Sequence, residues 1–199
     1  MVATTAVTSK TPPPVQQPCP DASALPQGDN PDGSLTKADL ERLPRRERIN
    51  DIAAPAATPP EAAADADAVF VGTVQSLDFS LDGIAVADVV IDKVVKGNLR
   101  GGESLPVELG FVFGVNADCT GGSLWVDPGS PVLPPGQQAV FMADLYPKPV
   151  GAWPAGLWDA STYAQAYPIT GDTVSAEPTS PYGKLVHDVP VADFLDSLH

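Results

Sequence analysis

Oxygen-bearing side chains crowd into one stretch, Gly28–Leu43, which reads GDNPDGSLTKADLERL. A calcium ion takes about six to eight oxygens gathered around a tight turn, and this spacing offers most of them. With Gly33 as the turn glycine, Asn30 and Asp32 fall at the third and fifth ligand positions. Ser34 offers its backbone carbonyl at the seventh, Leu35 is the apolar eighth residue, Thr36 is the ninth and Asp39 the twelfth. Gly28 stands at the first position, where a carboxylate is expected, and Asp29 is one residue out of register. The same residues also read as the start of a helix. Asn-Pro-Asp-Gly is a turn sequence, and Thr36 followed three residues later by Asp39 makes a capping pair. The two readings are alternatives here, an ion bound by Asp29, Asn30, Asp32, Ser34 and Asp39 or a cap.

The spacing resembles the calcium loop of an EF-hand and, more loosely, that of a dockerin repeat. The resemblance implies calcium as the one candidate cofactor. It has no second hand to pair with, and Pro44 cuts the exit helix short.

A second concentration of chemistry is aromatic. The segment Tyr146–Tyr167, YPKPVGAWPAGLWDASTYAQAY, holds Trp153, Trp158, Tyr146 and Tyr163 among prolines and glycines. Rings on such a loop can stack on a sugar or grip a peptide, so these four residues are the candidate ligand-binding set. The alternative is that the rings fold back and plug one end of the fold. Catalytic constellations are missing from the sequence. His187 and Asp188 are chain neighbours and cannot form a hydrolase relay by themselves. No serine sits in a Gly-x-Ser-x-Gly elbow, and Glu103 and Glu108 read as strand or turn residues with no paired acid in view. The expectation is a protein that is not an enzyme.

Charge narrows the partners. The formal net charge is −14, and residues 61–199 carry −13 of it. Such a surface repels a phosphate backbone and an anionic membrane, so neither nucleic acid nor membrane insertion is expected. No run of about 18 apolar residues is present. The one basic run is Arg42, Arg45, Arg46 and Arg48, which could bind an anion but reads better as a contact with the acidic barrel of its own chain. The two cysteines, Cys19 and Cys119, form no Cys-x-x-Cys pair. They are either one disulfide, closing a loop of about 100 residues and adding roughly 4–5 kcal/mol, or two separate thiols. The N-terminus MVATTAVTSKTPPP lacks the apolar core of a secretion signal. Either the protein is cytosolic or such a signal has been removed; we read it in the second way, as an extracellular or cell-envelope protein.

Three segments follow from this. Residues 1–27 are a Pro/Thr-rich extended arm. Residues 28–66 are a short helical region containing the loop above. It ends in Thr58-Pro59-Pro60-Glu61, where the cap, the proline and the glutamate agree on a helix start. Residues 67–199 are a β-barrel. Strands are expected near Ala68–Leu77, Ile84–Val95, Leu105–Phe113, Gln137–Leu145 and Tyr167–Val174. In the third, Leu105, Val107, Leu109, Phe111 and Phe113 alternate with Ser104, Pro106, Glu108 and Gly110, so the odd positions face the core. Gly72 marks a bulge. Val191, Phe194, Leu195 and Leu198 recur with a helical period. The fold class is mainly β: a five-stranded OB-like barrel with a C-terminal amphipathic helix and a Pro-rich N-terminal arm.

The strings ADAVFVGTV, VVKGNLRGGESLPV and LPPGQQAVFMADL, with a cysteine loop between the last two, resemble bacterial secreted netrin-like domains, relatives of the tissue inhibitors of metalloproteinases. The resemblance covers residues about 59–199. Those inhibitors place a free N-terminal cysteine on the protease zinc, from a Cys-x-Cys start. Here Cys19 stands far upstream with no such start, so the resemblance implies the fold without that inhibitory wedge. The expected function is a secreted interaction module that binds a protein or cell-envelope glycan. The alternatives are a calcium-stabilised structural protein and a subunit of an oligomeric assembly.

Overall fold

A computed structural model describes residues 34–48, 58–115, 122–149, 154–161 and 165–199. In chain order the elements are helix α1 (Lys37–Arg42), strand β1 (Arg45–Glu47), helix α2 (Pro59–Asp65) and strands β2 (Ala68–Asp78), β3 (Ile84–Lys96) and β4 (Ser104–Val115). Strands β5 (Gly122–Val126), β6 (Gln138–Leu145), β7 (Trp158–Ala160), β8 (Ala166–Thr170), β9 (Thr173–Val174) and β10 (Val189–Pro190) follow. Helix α3 (Val191–Asp196) ends the chain.

Five of these strands close on themselves. β2 pairs with β3, β3 with β4 and β6 with β2, all antiparallel. The ring is completed by β7, parallel to β4 and antiparallel to β6. This is the OB-like barrel expected from the alternation. Leu105, Val107, Leu109 and Phe111 all point into the barrel core, while Pro106 is exposed. The interior is filled by Phe70, Phe111, Phe141, Ile91, Val89 and Trp158, with the Phe70 and Phe141 rings stacked 5.2 Å apart. A barrel of this size is packed by its own side chains and leaves no lumen for a ligand. Gly72 lies at a register shift of the β2–β3 ladder, and a Cβ there would meet Val89 Cγ1 at 2.6 Å. The sharp coiling of β2 therefore requires glycine.

The fifth stave is not where the sequence placed it. Residues 167–174 form the β8–β9 hairpin, which is added to the outer edge of β6. The barrel is closed instead by Trp158–Ala160, from inside the aromatic segment. Three residues are too few to show a strand period. Their pattern is nonetheless that of a half-buried strand, with Trp158 and Ala160 buried and Asp159 between them half-buried.

A second apolar layer lies outside the barrel. Val69, Val71, Val140, Met142, Tyr167 and Ile169 pack under Phe194, Leu195 and Leu198 of the C-terminal segment. The Tyr167 and Phe194 rings are 5.0 Å apart. Helix α3 is thus the amphipathic cover that its spacing predicts. Helix α2 starts as read: Thr58 N and Oγ1 each donate to Glu61 Oε2 at 2.8 Å, with Pro59 in the first turn. It ends on Lys96, whose Nζ donates to the carbonyls of Ala63 and Ala64.

The described residues 34–48 also pack with the barrel. Leu35 and Leu40 are buried in its core, with Leu43 packed against them. β1 runs parallel to β5 and extends the sheet by one strand. The arginine run makes the intramolecular contact anticipated for it: Arg48 Nε lies 3.4 Å from Asp127 Oδ1, and the Arg46 guanidinium sits 5.4 Å above the Trp125 ring. The latter is a cation–π contact.

Candidate functional site

Two of the five calcium-loop residues, Ser34 and Asp39, are described, and Asp39 serves the helix cap. Thr36 N and Oγ1 each donate to Asp39 Oδ2 at 2.7 Å, and Asp39 N donates back to Thr36 Oγ1 at 3.2 Å. Arg42 donates to the other oxygen, Oδ1. Those hydrogen bonds, from the Thr36 backbone first, hold the Asp39 carboxyl down at about 2. Both oxygens that would face an ion are therefore engaged within α1. Ser34 is half-buried just ahead of the cap. Asp29, Asn30 and Asp32 lie outside the described residues, as do both cysteines, Cys19 and Cys119. Among the described residues no group of three or more His, Cys, Asp or Glu side chains is arranged to hold a metal.

Of the four aromatic candidates, Trp153 and Tyr163 lie outside the described residues. Trp158 is only 9% exposed, and its ring belongs to the barrel core. It is not presented as a stacking surface, because closing the barrel turns its side chain inward. Tyr146 is half-buried, and its hydroxyl donates to Asp159 Oδ2 at 2.9 Å. His187 and Asp188 touch at 3.5 Å on the open surface, both side chains about 70% exposed.

The structure assembles another set, which the sequence reading left apart. In the barrel wall Asp159 stands directly between two carboxylates: Glu108 is its partner across β4–β7, and Asp144 its partner across β6–β7. Side chains paired in this way share one face of a sheet. The face is the outer one, since Val107, Leu109, Trp158 and Ala160 turn inward. The row runs from solvent to interior: Asp144 is exposed, Asp159 half-buried, and Glu108 only 6% exposed. Asp67 extends it at the solvent end. Asp67 N donates to Asp144 Oδ1 at 3.3 Å and Leu145 N donates to Asp67 Oδ2 at 3.0 Å. Gln165 Nε2 also donates to Asp144, and Ser161 N to Asp159 Oδ1 at 2.9 Å.

Local sequence explains why the row is tight. β4 changes partner along one edge, from β7 at Val107–Leu109 to β5 at Phe111–Val115. Gly110 is the residue at the change. A Cβ on it would run into the Ser161 carbonyl and the Ser130 hydroxyl, so glycine lets these segments close over the outer face beside Glu108.

The electrostatics follow from that closure. Burial pushes the Glu108 carboxyl up to about 7, and the charges of Asp159 and Asp127 add to the effect. Arg48 acts in the opposite direction, but its guanidinium is also engaged by Asp127. Glu108 Oε2 is buried with no hydrogen-bond partner. Partial loss of hydration raises Asp144, and Asp67, Asp159 and Asp65 add repulsion. The Tyr146 phenol is raised too, by burial, then by its bond to Asp159 and the surrounding carboxylates. It remains a hydrogen-bond donor across the accessible range.

Beside the row lies a groove of about 250 Å³. β1 forms one wall, with Asp127, Pro128, Ser130 and Val132 opposite. It shares Asp127 with the surroundings of Glu108.

No family model matches the chain, and no curated protein matches it. Among the described residues no helix is long and apolar enough to cross a membrane.

Proposed function

We propose that the protein is a non-catalytic interaction module that binds a positively charged, extended segment of a partner protein along the Asp67–Asp144–Asp159 face. The observation that carries this reading is the register that sets Glu108, Asp159 and Asp144 side by side on three neighbouring strands. Carboxylates placed opposite one another destabilise a sheet. Partial burial raises Asp144 first and its like-charged neighbours add to it, and a cationic side chain would relieve that added repulsion. The net charge of −14 draws such a partner in from a distance.

Catalysis fits the site less well. Glu108 has the raised affinity for a proton that a general acid needs. Its side chain, however, is only 6% exposed, which leaves little of it for a substrate atom to reach. A glycan surface built on the aromatic residues also loses support, because Trp158 is spent on the core and Tyr146 on Asp159. Extracellular location and the netrin-like relationship are part of the proposal. They rest on the sequence strings and on a barrel of the expected kind.

The test is calorimetric titration with a Lys/Arg-rich extended peptide at low and high salt. Binding that weakens with salt, and in Asp144→Asn and Asp159→Asn proteins, supports the proposal. Absence of binding to the unaltered protein, or binding that neither variant changes, overturns it.

A further inference from the structure

Glu108 is the one member of the row that no partner could touch, and it faces the weakest part of the barrel. β7 is only three residues long, yet both of its edges close the ring, one on β4 and one on β6. Its middle residue, Asp159, is the one paired with Glu108. We propose that Glu108 and Asp159 form a proton-dependent clasp on this closing strand: a neutral Glu108 keeps β7 seated, and an ionised Glu108 loosens it.

The groups around Glu108 support this from every side. Asp159 on β7 and Asp127 after β5 bring negative charge. Asp144 stands one strand further along, beyond Asp159. The Tyr146 hydroxyl is committed to Asp159, and the residue opposite on β3 is the apolar Val86. The cation that acts on Glu108, Arg48, already pairs with Asp127. Ionising Glu108 would thus leave its buried Oε2 charged without a donor. A buried charge of that kind is relieved by movement of the least anchored element or by entry of water. The other barrel strands β2, β3, β4 and β6 have 11, 13, 12 and 8 residues, and β7 has three. Movement therefore falls to β7. Burial and the charges of Asp159 and Asp127 push the Glu108 carboxyl up to about 7, so the change is expected around neutral pH. The clasp stands whether or not a partner binds the outer acids.

Amide hydrogen exchange over pH 5–9, corrected for intrinsic rates, tests it on the full chain. Amides of β7 are expected to lose protection by about tenfold or more as pH rises through 7, while the β2–β3 amides hold theirs. In Glu108→Gln the loss at β7 should vanish. Asp159→Asn offers a second variant that keeps the Tyr146 bond but removes the opposing charge, and it should shrink the loss. Protection at β7 that is flat with pH in the unaltered protein overturns the proposal. So does a loss that persists undiminished in either variant. Failure of peptide binding alone, with the β7 profile intact, would count against the partner reading and leave the clasp in place.

Discussion

Asp159 lies directly opposite Glu108 across the parallel β4–β7 contact, and the two approach the same outer face from strands about fifty residues apart in the chain. That pairing turns a structural seam into a titratable one. Glu108 binds its proton more tightly folded than unfolded, 4.5 being its ordinary value and about 7 its folded one. Its contribution to stability is therefore fully present below about 4.5. It is lost progressively as pH rises to about 7, and above that it is gone. Chemical denaturation at pH 5 and pH 8 should show a lower midpoint at pH 8 in the unaltered protein. The difference should be much reduced in Glu108→Gln.

Asp39 works with the opposite sign. Its folded carboxyl is held near 2 against an ordinary 3.8, so its contribution is present above about 4 and is lost as pH falls toward 2. An Asp39→Ala protein should lose less stability than the unaltered one on acidification from pH 4 to pH 2, measured by circular dichroism. With both Asp39 oxygens held by Thr36 and Arg42, a chelator should leave the melting temperature unchanged. A large drop would support the calcium-stabilised reading.

Trp158→Ala should be among the most damaging single changes in the barrel. The ring is a core residue on a three-residue strand, and truncation leaves a cavity there. A loss of about 3–5 kcal/mol is expected, read from urea unfolding. A loss close to zero would mean that the indole is not part of the core.

How much of this could be read in advance depends on the length over which a pattern runs. The long staves β2, β3, β4 and β6 carry enough apolar, β-branched sequence to be placed within a few residues, and in β4 the alternation also assigns Leu105, Val107, Leu109 and Phe111 to the core face. Thr58-Pro59-Pro60-Glu61 and the Val191–Leu198 period are local signals, and local physics decided them. The closing strand could not be found that way, because Trp158-Asp159-Ala160 contains one alternation and lies between Leu157 and Ser161, just after Gly156. Trp158 read as a loop aromatic for the same reason. The carboxylate row was further out of reach. Glu108 is visible as an acid at an outer position of β4, but its neighbours Asp127, Asp144 and Asp159 are supplied by register between distant segments. A hint was present in the outer face of that strand, where Glu108 stands beside Gly110. A glycine there signals close approach by another segment.

Leu40→Ala should show that α1 is structural. Leu40 is 1% exposed and packs with the barrel interior, so α1 is an integral part of the fold and not a detachable arm. A loss of about 2–5 kcal/mol is expected in urea unfolding. A protein indifferent to this substitution would place α1 outside the cooperative unit.

The most direct measurement is the site-specific titration of Glu108 by carboxyl carbon NMR. A midpoint near 7 that moves down in Asp159→Asn is the result required by a buried acid facing a second one across the seam. A midpoint near 4.5, unmoved by that substitution, would mean that Glu108 is hydrated and uncoupled, and would contradict the account.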